Sequence, residues 1–147
     1  DGQFPTPNDY TENDKALLNK AHNELLSSVQ NLFDNCQFNK VLEKYMELAA
    51  DCDSYIDHNA PWKLKNDDPE RMKTVLYVVA ECVRVISLLT QPFMPSSSSK
   101  LLDQLKIPTD ERMFKHLEAA YALKPGTKID KPEGVFPRIQ PTEQAAE

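Results

Sequence analysis

Apolar residues recur at spacings of three and four through most of this chain, the period of an α-helix with one buried face. Leu17, Leu18, Ala21, Leu25, Val29, Leu32 and Phe33 make the first such face, in a helix predicted to run to about Asn35. Thr11 and Asp14 stand at its start in the spacing of a variant capping box, in which each side chain accepts a hydrogen bond from the other residue's backbone N–H. A second helix is predicted from about Gln37, with Phe38, Val41, Leu42, Tyr45, Leu48, Ala49, Cys52, Tyr55 and Ile56 on one stripe. Pro61 ends it or permits one last irregular turn, because proline disfavours helical backbone in the residue before it.

The third helix has the plainest start in the chain. Asp68 is placed to cap it, Pro69 takes the first helical position, where a missing N–H costs nothing, and Glu70 sits near the positive end of the dipole. It is predicted to run to about Gln91 and to be apolar nearly all round, which marks the central helix of a bundle. Glu81 and Arg84, three residues apart, read as a structural ion pair. Pro92 and Pro95 bracket a corner, after which Ser96 to Ser99 open a fourth helix carrying Leu101, Leu102 and Leu105. Thr109-Asp110-Glu111 opens a short helical segment through Phe114, Leu117 and Tyr121. From Lys124 the prolines and glycines enforce an irregular tail, with Val135, Phe136 and Ile139 expected to pack back onto the body and residues 141–147 expected to be disordered. No strand and no internal repeat is predicted. The expectation is an all-α helical bundle with an irregular C-terminal tail, one domain over residues 1–140.

Composition narrows the chemistry more than the fold. At 147 residues the chain is long enough for a real core. No apolar run reaches the roughly 18 residues a membrane span requires, so no membrane contact is expected. Its first residues are polar and lack both Met and a signal-peptide pattern, which reads as a processed chain or a fragment of a longer one, and a cytoplasmic protein is expected. Cys36, Cys52 and Cys82 are odd in number and widely spaced, and are expected to be reduced, buried thiols. His22, His58 and His116 hold no metal-ligand spacing, three glycines cannot build a phosphate loop, and no Ser, Thr or Cys sits in a nucleophile context. No catalytic residue, metal or cofactor is therefore assigned to this chain. A net charge of −6 argues against binding nucleic acid through a basic face.

One stretch stands apart. Tyr55 to Lys73 gathers Asp57, Asn59, Pro61, Trp62, Lys63, Lys65, Asn66, Arg71 and Lys73 where the second helix gives way to the third. An aromatic face stacks a nucleobase for about 1–3 kcal/mol, and neighbouring cations reach its phosphates. From Trp62 to Lys73, positive residues 63, 65, 71 and 73 face negative residues 67, 68 and 70, so this is no basic patch. Trp62 as a core side chain of a helical protein-interaction module is the competing reading, and near-complete burial of the indole would favour it.

The wording of this junction resembles a known family. Tyr55-Ile56-Asp57 followed by Ala60-Pro61-Trp62 is similar to the Y-[IV]-D-x-Q-A-P-W motif of the C-terminal anticodon-binding domain of methionyl-tRNA synthetases. The resemblance continues through Asp68-Pro69, Thr74-Val75-Leu76-Tyr77, Gln91-Pro92-Phe93-Met94-Pro95, Lys100 to Leu105 and Gly134-Val135-Phe136-Pro137-Arg138, and is nearest to the bacterial form found in alphaproteobacteria. It implies a bundle of the type used by class I aminoacyl-tRNA synthetases; the related domains of the leucine, isoleucine, valine and cysteine enzymes are the nearest alternatives.

The resemblance also implies roles. Trp62, presented by Pro61, would stack on the first base of the CAU anticodon loop of tRNA(Met). Asp57 would help reject other anticodons, and Asn59, where the family usually has Gln, would meet a base edge with a shorter amide. Lys63, Lys65 and Arg71 are candidates for phosphate contact. In the whole enzyme a catalytic Rossmann domain would charge the tRNA with methionine, using ATP and Mg. The family's domain has a further helix, which would precede residue 1, so an exposed apolar strip is expected on the bundle.

Overall fold

The computed structural model describes residues 2–136, and among these it contains helices, turns and no strand. Helix α1 (Glu12–Asn19) begins at the capping box read from the sequence: the Asp14 N–H donates to the Thr11 hydroxyl at 3.4 Å, and the Thr11 N–H to the Asp14 carboxylate at 2.9 Å. A π-turn over Lys20–Glu24 joins α1 to α2 (Leu25–Asp34) without a break in the helical course. The sequence explains it. Leu17, Ala21, Leu25 and Val29, all buried, recur every four residues, which outruns a 3.6-residue turn; one wider turn absorbs the drift and keeps them on one face.

Helix α3 (Phe38–Asn59) packs against both α2 and α5 and buries Val41, Tyr45, Leu48, Cys52 and Tyr55. Phe38 and Leu42, assigned to that stripe from their spacing, instead remain exposed, in a row with Met46, which is 67% exposed. The stripe read from the sequence is broader than the face that α2 and α5 cover. Phe38 keeps edge contacts with Phe33 and Phe93 at centroid distances of 6.1 and 6.3 Å.

Pro61 does more than end α3. It opens a separate short helix, α4 (Pro61–Asp67), which the sequence pattern does not predict. Helix α5 (Pro69–Leu89) is the central element, with eleven buried residues from Thr74 to Leu89. The Asp68 carboxylate accepts the Arg71 N–H at 3.0 Å, the cap expected for it. Helix α6 (Pro95–Gln104) follows the proline corner and buries Ser98 and Leu102.

Beyond α6 the expected short helix resolves into three 3₁₀ turns, Thr109–Glu111, Phe114–Leu117 and Ala119–Tyr121. Such turns have little stability of their own, and α5 supplies it. Arg84, fully buried, donates to the carbonyls of His116 at 2.6 Å and Leu117 at 3.3 Å, and pairs with Glu81 at 2.6–3.0 Å. Glu81 also accepts the Leu123 N–H at 2.9 Å and lies 2.7 Å from His22 Nε2, on the π-turn. The expected ion pair is therefore the hub of a sealed network. Burial alone would raise the Glu81 pKa, but hydrogen bonds from His22 and Arg84 and the Arg84 charge hold it below the ordinary glutamate value.

The tail returns to the N-terminal segment. Phe4, buried, exchanges backbone hydrogen bonds with Gly126 and Thr127, and Ile129 donates to the Gly2 carbonyl at 2.7 Å. The anchors are thus Leu123 and Ile129; Phe136, expected to pack back, is 68% exposed. Ile139 and residues 141–147 lie outside the described residues. Among the cysteines, Cys52 and Cys82 are buried and unpaired as expected, whereas Cys36 is exposed, on the positive-φ turn that separates α2 from α3.

Candidate nucleic-acid interface

The junction between α3 and α5 is built by three short-range events. Asn59 closes α3. Ala60 then adopts the left-handed conformation (φ 43, ψ 61), which lets its N–H still donate to the Ile56 carbonyl at 2.8 Å while turning the chain sharply. Pro61 follows as the first residue of α4, its fixed φ suited to that place. A seven-residue helix is too short to persist alone. It is held because Leu64 packs on the core, the Asp68 N–H closes α4 on the Leu64 carbonyl at 2.9 Å, and the Asp68 side chain opens α5.

Trp62, second residue of α4, is 59% exposed. That burial is wrong for a core plug and removes the observation on which the protein-interaction reading depended. An indole fixed by one helical backbone, with a free face, is what stacking on a base demands. Asp57, Lys63 and Lys65 are exposed, and among the described residues neither lysine is paired with a carboxylate. Lys73, by contrast, is engaged with Glu70 at 2.5 Å.

Two of the expected contact residues point the other way. The Arg71 guanidinium donates to both oxygens of Asp14, Nη1 to Oδ2 at 2.5 Å and Nη2 to Oδ1 at 2.8 Å, and Nη2 also reaches Asn59 Oδ1 at 2.7 Å. The Tyr55 hydroxyl donates to Asp14 Oδ1 at 2.6 Å, and Asn59 Nδ2 donates to the Tyr55 carbonyl at 2.9 Å. Arg71, read as a candidate phosphate contact, is therefore drawn inward to neutralise a carboxylate that is 0% exposed. Asn59, read as a base-edge reader, has both amide atoms engaged inside the protein. The reason is electrostatic: a buried carboxylate without a partner is costlier than an arginine withdrawn from water.

Asp14 and Tyr55 enter the sequence reading as a cap residue and as part of a helical stripe and motif, and not as partners of Arg71 and Asn59. A signal for Asp14 is present, since position 14 shares the face of Leu17, Leu18 and Ala21, so its side chain has to point at the core. Its capping role masks that signal. Burial alone would raise the Asp14 pKa, yet hydrogen bonds from Arg71, Tyr55 and the Thr11 backbone and the Arg71 charge bring it down to about 2. Burial, then the hydrogen bond to Asp14, push the Tyr55 hydroxyl up.

Comparison with known proteins identifies the fold and the family. Crystal structures of Mycobacterium tuberculosis methionyl-tRNA synthetase superpose on the chain with TM-scores of 0.88, in the apo form over 95% of this chain and 28% of that one at 38% identity, and in the methionyl-adenylate complex at 37% identity. The fold is that of the helical anticodon-binding domain of a class I aminoacyl-tRNA synthetase. Residues 4–147 match the family described as the anticodon binding domain of methionyl tRNA ligase, and the chain belongs to that family. Methionine–tRNA ligases of Mesorhizobium japonicum and Rickettsia felis are 43% and 47% identical over 93% and 74% of the chain. The chain spans only 26% and 21% of the length of those relatives. The alternatives drawn from leucine, isoleucine, valine and cysteine enzymes fall away with this match.

Proposed function

We propose that the α3–α5 junction reads the anticodon loop of tRNA(Met), with Trp62 stacking on a splayed first base. The observation that carries this reading is the exposure of the chain's single tryptophan on a short helix held at both ends. Asp57, at the edge of the same junction, would repel a phosphate or a wrongly placed acceptor. Lys63 and Lys65, exposed and unpaired among the described residues, would meet the loop's phosphates. Pro61 fixes the entry of α4 and so the direction of the indole. Single-stranded loops are read by stacking more than by charge, so the net charge of −6 is compatible with this role.

In this reading the longer protein charges tRNA(Met) with methionine in the cytoplasm, its Rossmann domain using ATP and Mg. Among the described residues no group of three His, Cys, Asp or Glu is arranged to hold a metal. No helix among them is long and apolar enough to cross a membrane.

The test is binding of anticodon stem-loops to wild type and Trp62→Ala, with a CAU loop and a loop changed at its first base. Loss of about 1–3 kcal/mol with the CAU loop alone is expected. Equal binding of both loops by both folded proteins would remove Trp62 from anticodon recognition.

A further inference from the structure

Trp62 reaches its place through a chain that has little rigidity of its own. Helix α4 is seven residues long, begins at a strained Ala60, and presents the indole from its second position. What sets the angle of α4 is therefore the relative placement of its two ends, Asn59 on one side and Asp68 on the other. The Asp14–Arg71–Asn59–Tyr55 cluster spans that gap. Arg71 lies three residues past Asp68, whose carboxylate caps its N–H at 3.0 Å. Through Nη2 at 2.7 Å it grips Asn59, the residue immediately before the Ala60 turn. Asp14, on a third helix, holds the guanidinium in a two-oxygen fork and receives the Tyr55 hydroxyl one turn upstream of Asn59. Both ends of α4 are thus tied to one buried carboxylate.

We infer that Asp14 and Arg71 are positioning residues for anticodon recognition, acting through Asn59 and Tyr55 to fix the orientation of Trp62, which they do not touch. This rests on the reading of Trp62 as the stacking platform. The fork needs the planar guanidinium, because lysine supplies a single point charge and cannot reach Asp14 and Asn59 together. It needs the carboxylate too, since an Asn at position 14 offers one acceptor where two are used. Direct contact with RNA is not the main use of either residue: Asp14 is 0% exposed, and the Arg71 side chain keeps 18% exposure while both terminal nitrogens donate inside the protein.

Because Trp62 is the only tryptophan, fluorescence of this chain reports its setting without ambiguity. Steady-state anisotropy, acrylamide quenching, CAU stem-loop affinity and the thermal midpoint would be measured for wild type, Asp14→Asn, Arg71→Lys, Asn59→Ala and Trp62→Ala. Leu102→Ala, a core cavity on α6 remote from the junction in sequence, serves as a purely destabilising control. Asn59→Ala is the gentler probe, since it leaves the Asp14–Arg71 pair in place and keeps the question answerable if a pair variant unfolds. The expected result is lower anisotropy, freer quenching and about tenfold weaker CAU binding in Asp14→Asn and Arg71→Lys, within the span of losing one stacked base. Asn59→Ala should move the same way by a smaller factor. Leu102→Ala should lower the midpoint and leave fluorescence and affinity as in wild type. The inference is overturned if the folded junction variants keep wild-type anisotropy and affinity, or if Leu102→Ala alters both equally. Loss of affinity in Trp62→Ala alone would leave the anticodon reading standing and sink only the positioning role. If Trp62→Ala binds like wild type, the anticodon reading fails instead, and with it the recognition role claimed for the cluster.

Discussion

Helix α5 carries two arginines that each neutralise a fully buried carboxylate, and the two pairs do different work. Arg84 with Glu81 is sealed: neither side chain exceeds 1% exposure, and the remaining partners are His22 and backbone groups of His116, Leu117 and Leu123. Arg71 with Asp14 sits at the rim, where the Arg71 side chain keeps 18% exposure and its further partners, Asn59 and Tyr55, belong to the end of α3. The sealed pair gives an irregular stretch a fixed course across the central helix. The rim pair leaves the surface around it open and sets the angle between two helices that flank an exposed tryptophan. Similar chemistry holds an irregular stretch in one place and a helix junction in the other, and what separates the two is which partners each arginine reaches.

Breaking the sealed pair should have the largest effect. Arg84→Met strands Glu81 in the core and frees the carbonyls of His116 and Leu117, and is expected to destabilise by about 3–5 kcal/mol in urea unfolding. Stem-loop affinity per folded molecule should stay unchanged. If affinity falls as much as in Arg71→Lys, the two pairs are not separate devices.

The rim pair should show itself in acid. Asp14 titrates at about 2 in the fold against an ordinary 3.8. A carboxyl lowered in this way contributes its full stability above the unfolded value and loses it as pH falls through the folded one. Wild type should therefore lose about 2 kcal/mol relative to Asp14→Asn between about pH 4 and pH 2. Parallel pH profiles for the two proteins would contradict the role given to this carboxylate.

Smaller effects separate presentation from direct binding. Lys63→Gln with Lys65→Gln should leave stability within about 0.5 kcal/mol. For every phosphate that a lysine no longer neutralises, the salt dependence of stem-loop binding should flatten by about 0.7 in log–log slope; an unchanged slope would place the RNA elsewhere. Ala60→Gly should change least. Relief of left-handed strain, about 1 kcal/mol, is offset by roughly 0.5–1 kcal/mol of glycine entropy, so the unfolding midpoint should hardly move.

Much of the fold is legible in the sequence, and the reasons are local. Asp68-Pro69-Glu70 announces α5 because caps and dipoles act within one turn, and the same holds for Thr11 and Asp14 at the start of α1. Trp62 can be singled out because an aromatic after Ala60-Pro61 stands outside both helical stripes. The π-turn at His22, the short α4 and the exposure of Phe38 and Leu42 are not legible, since each depends on which neighbours arrive on a given face.

Adjacent residues suffice for the long helices, the caps at Thr11 and Asp68, the corner at Pro92 to Pro95 and the family motif around Trp62, because hydrophobic period, capping and proline geometry are local properties. That Arg71 and Asn59 turn inward while Trp62 turns out depends instead on how the helices pack. Asp14, fifty-seven residues before Arg71, is carried to it by the packing of α1 on α5. Once that carboxylate is buried, the cost of leaving it unpaired outweighs the hydration of a surface arginine. No reading of neighbouring residues contains that balance.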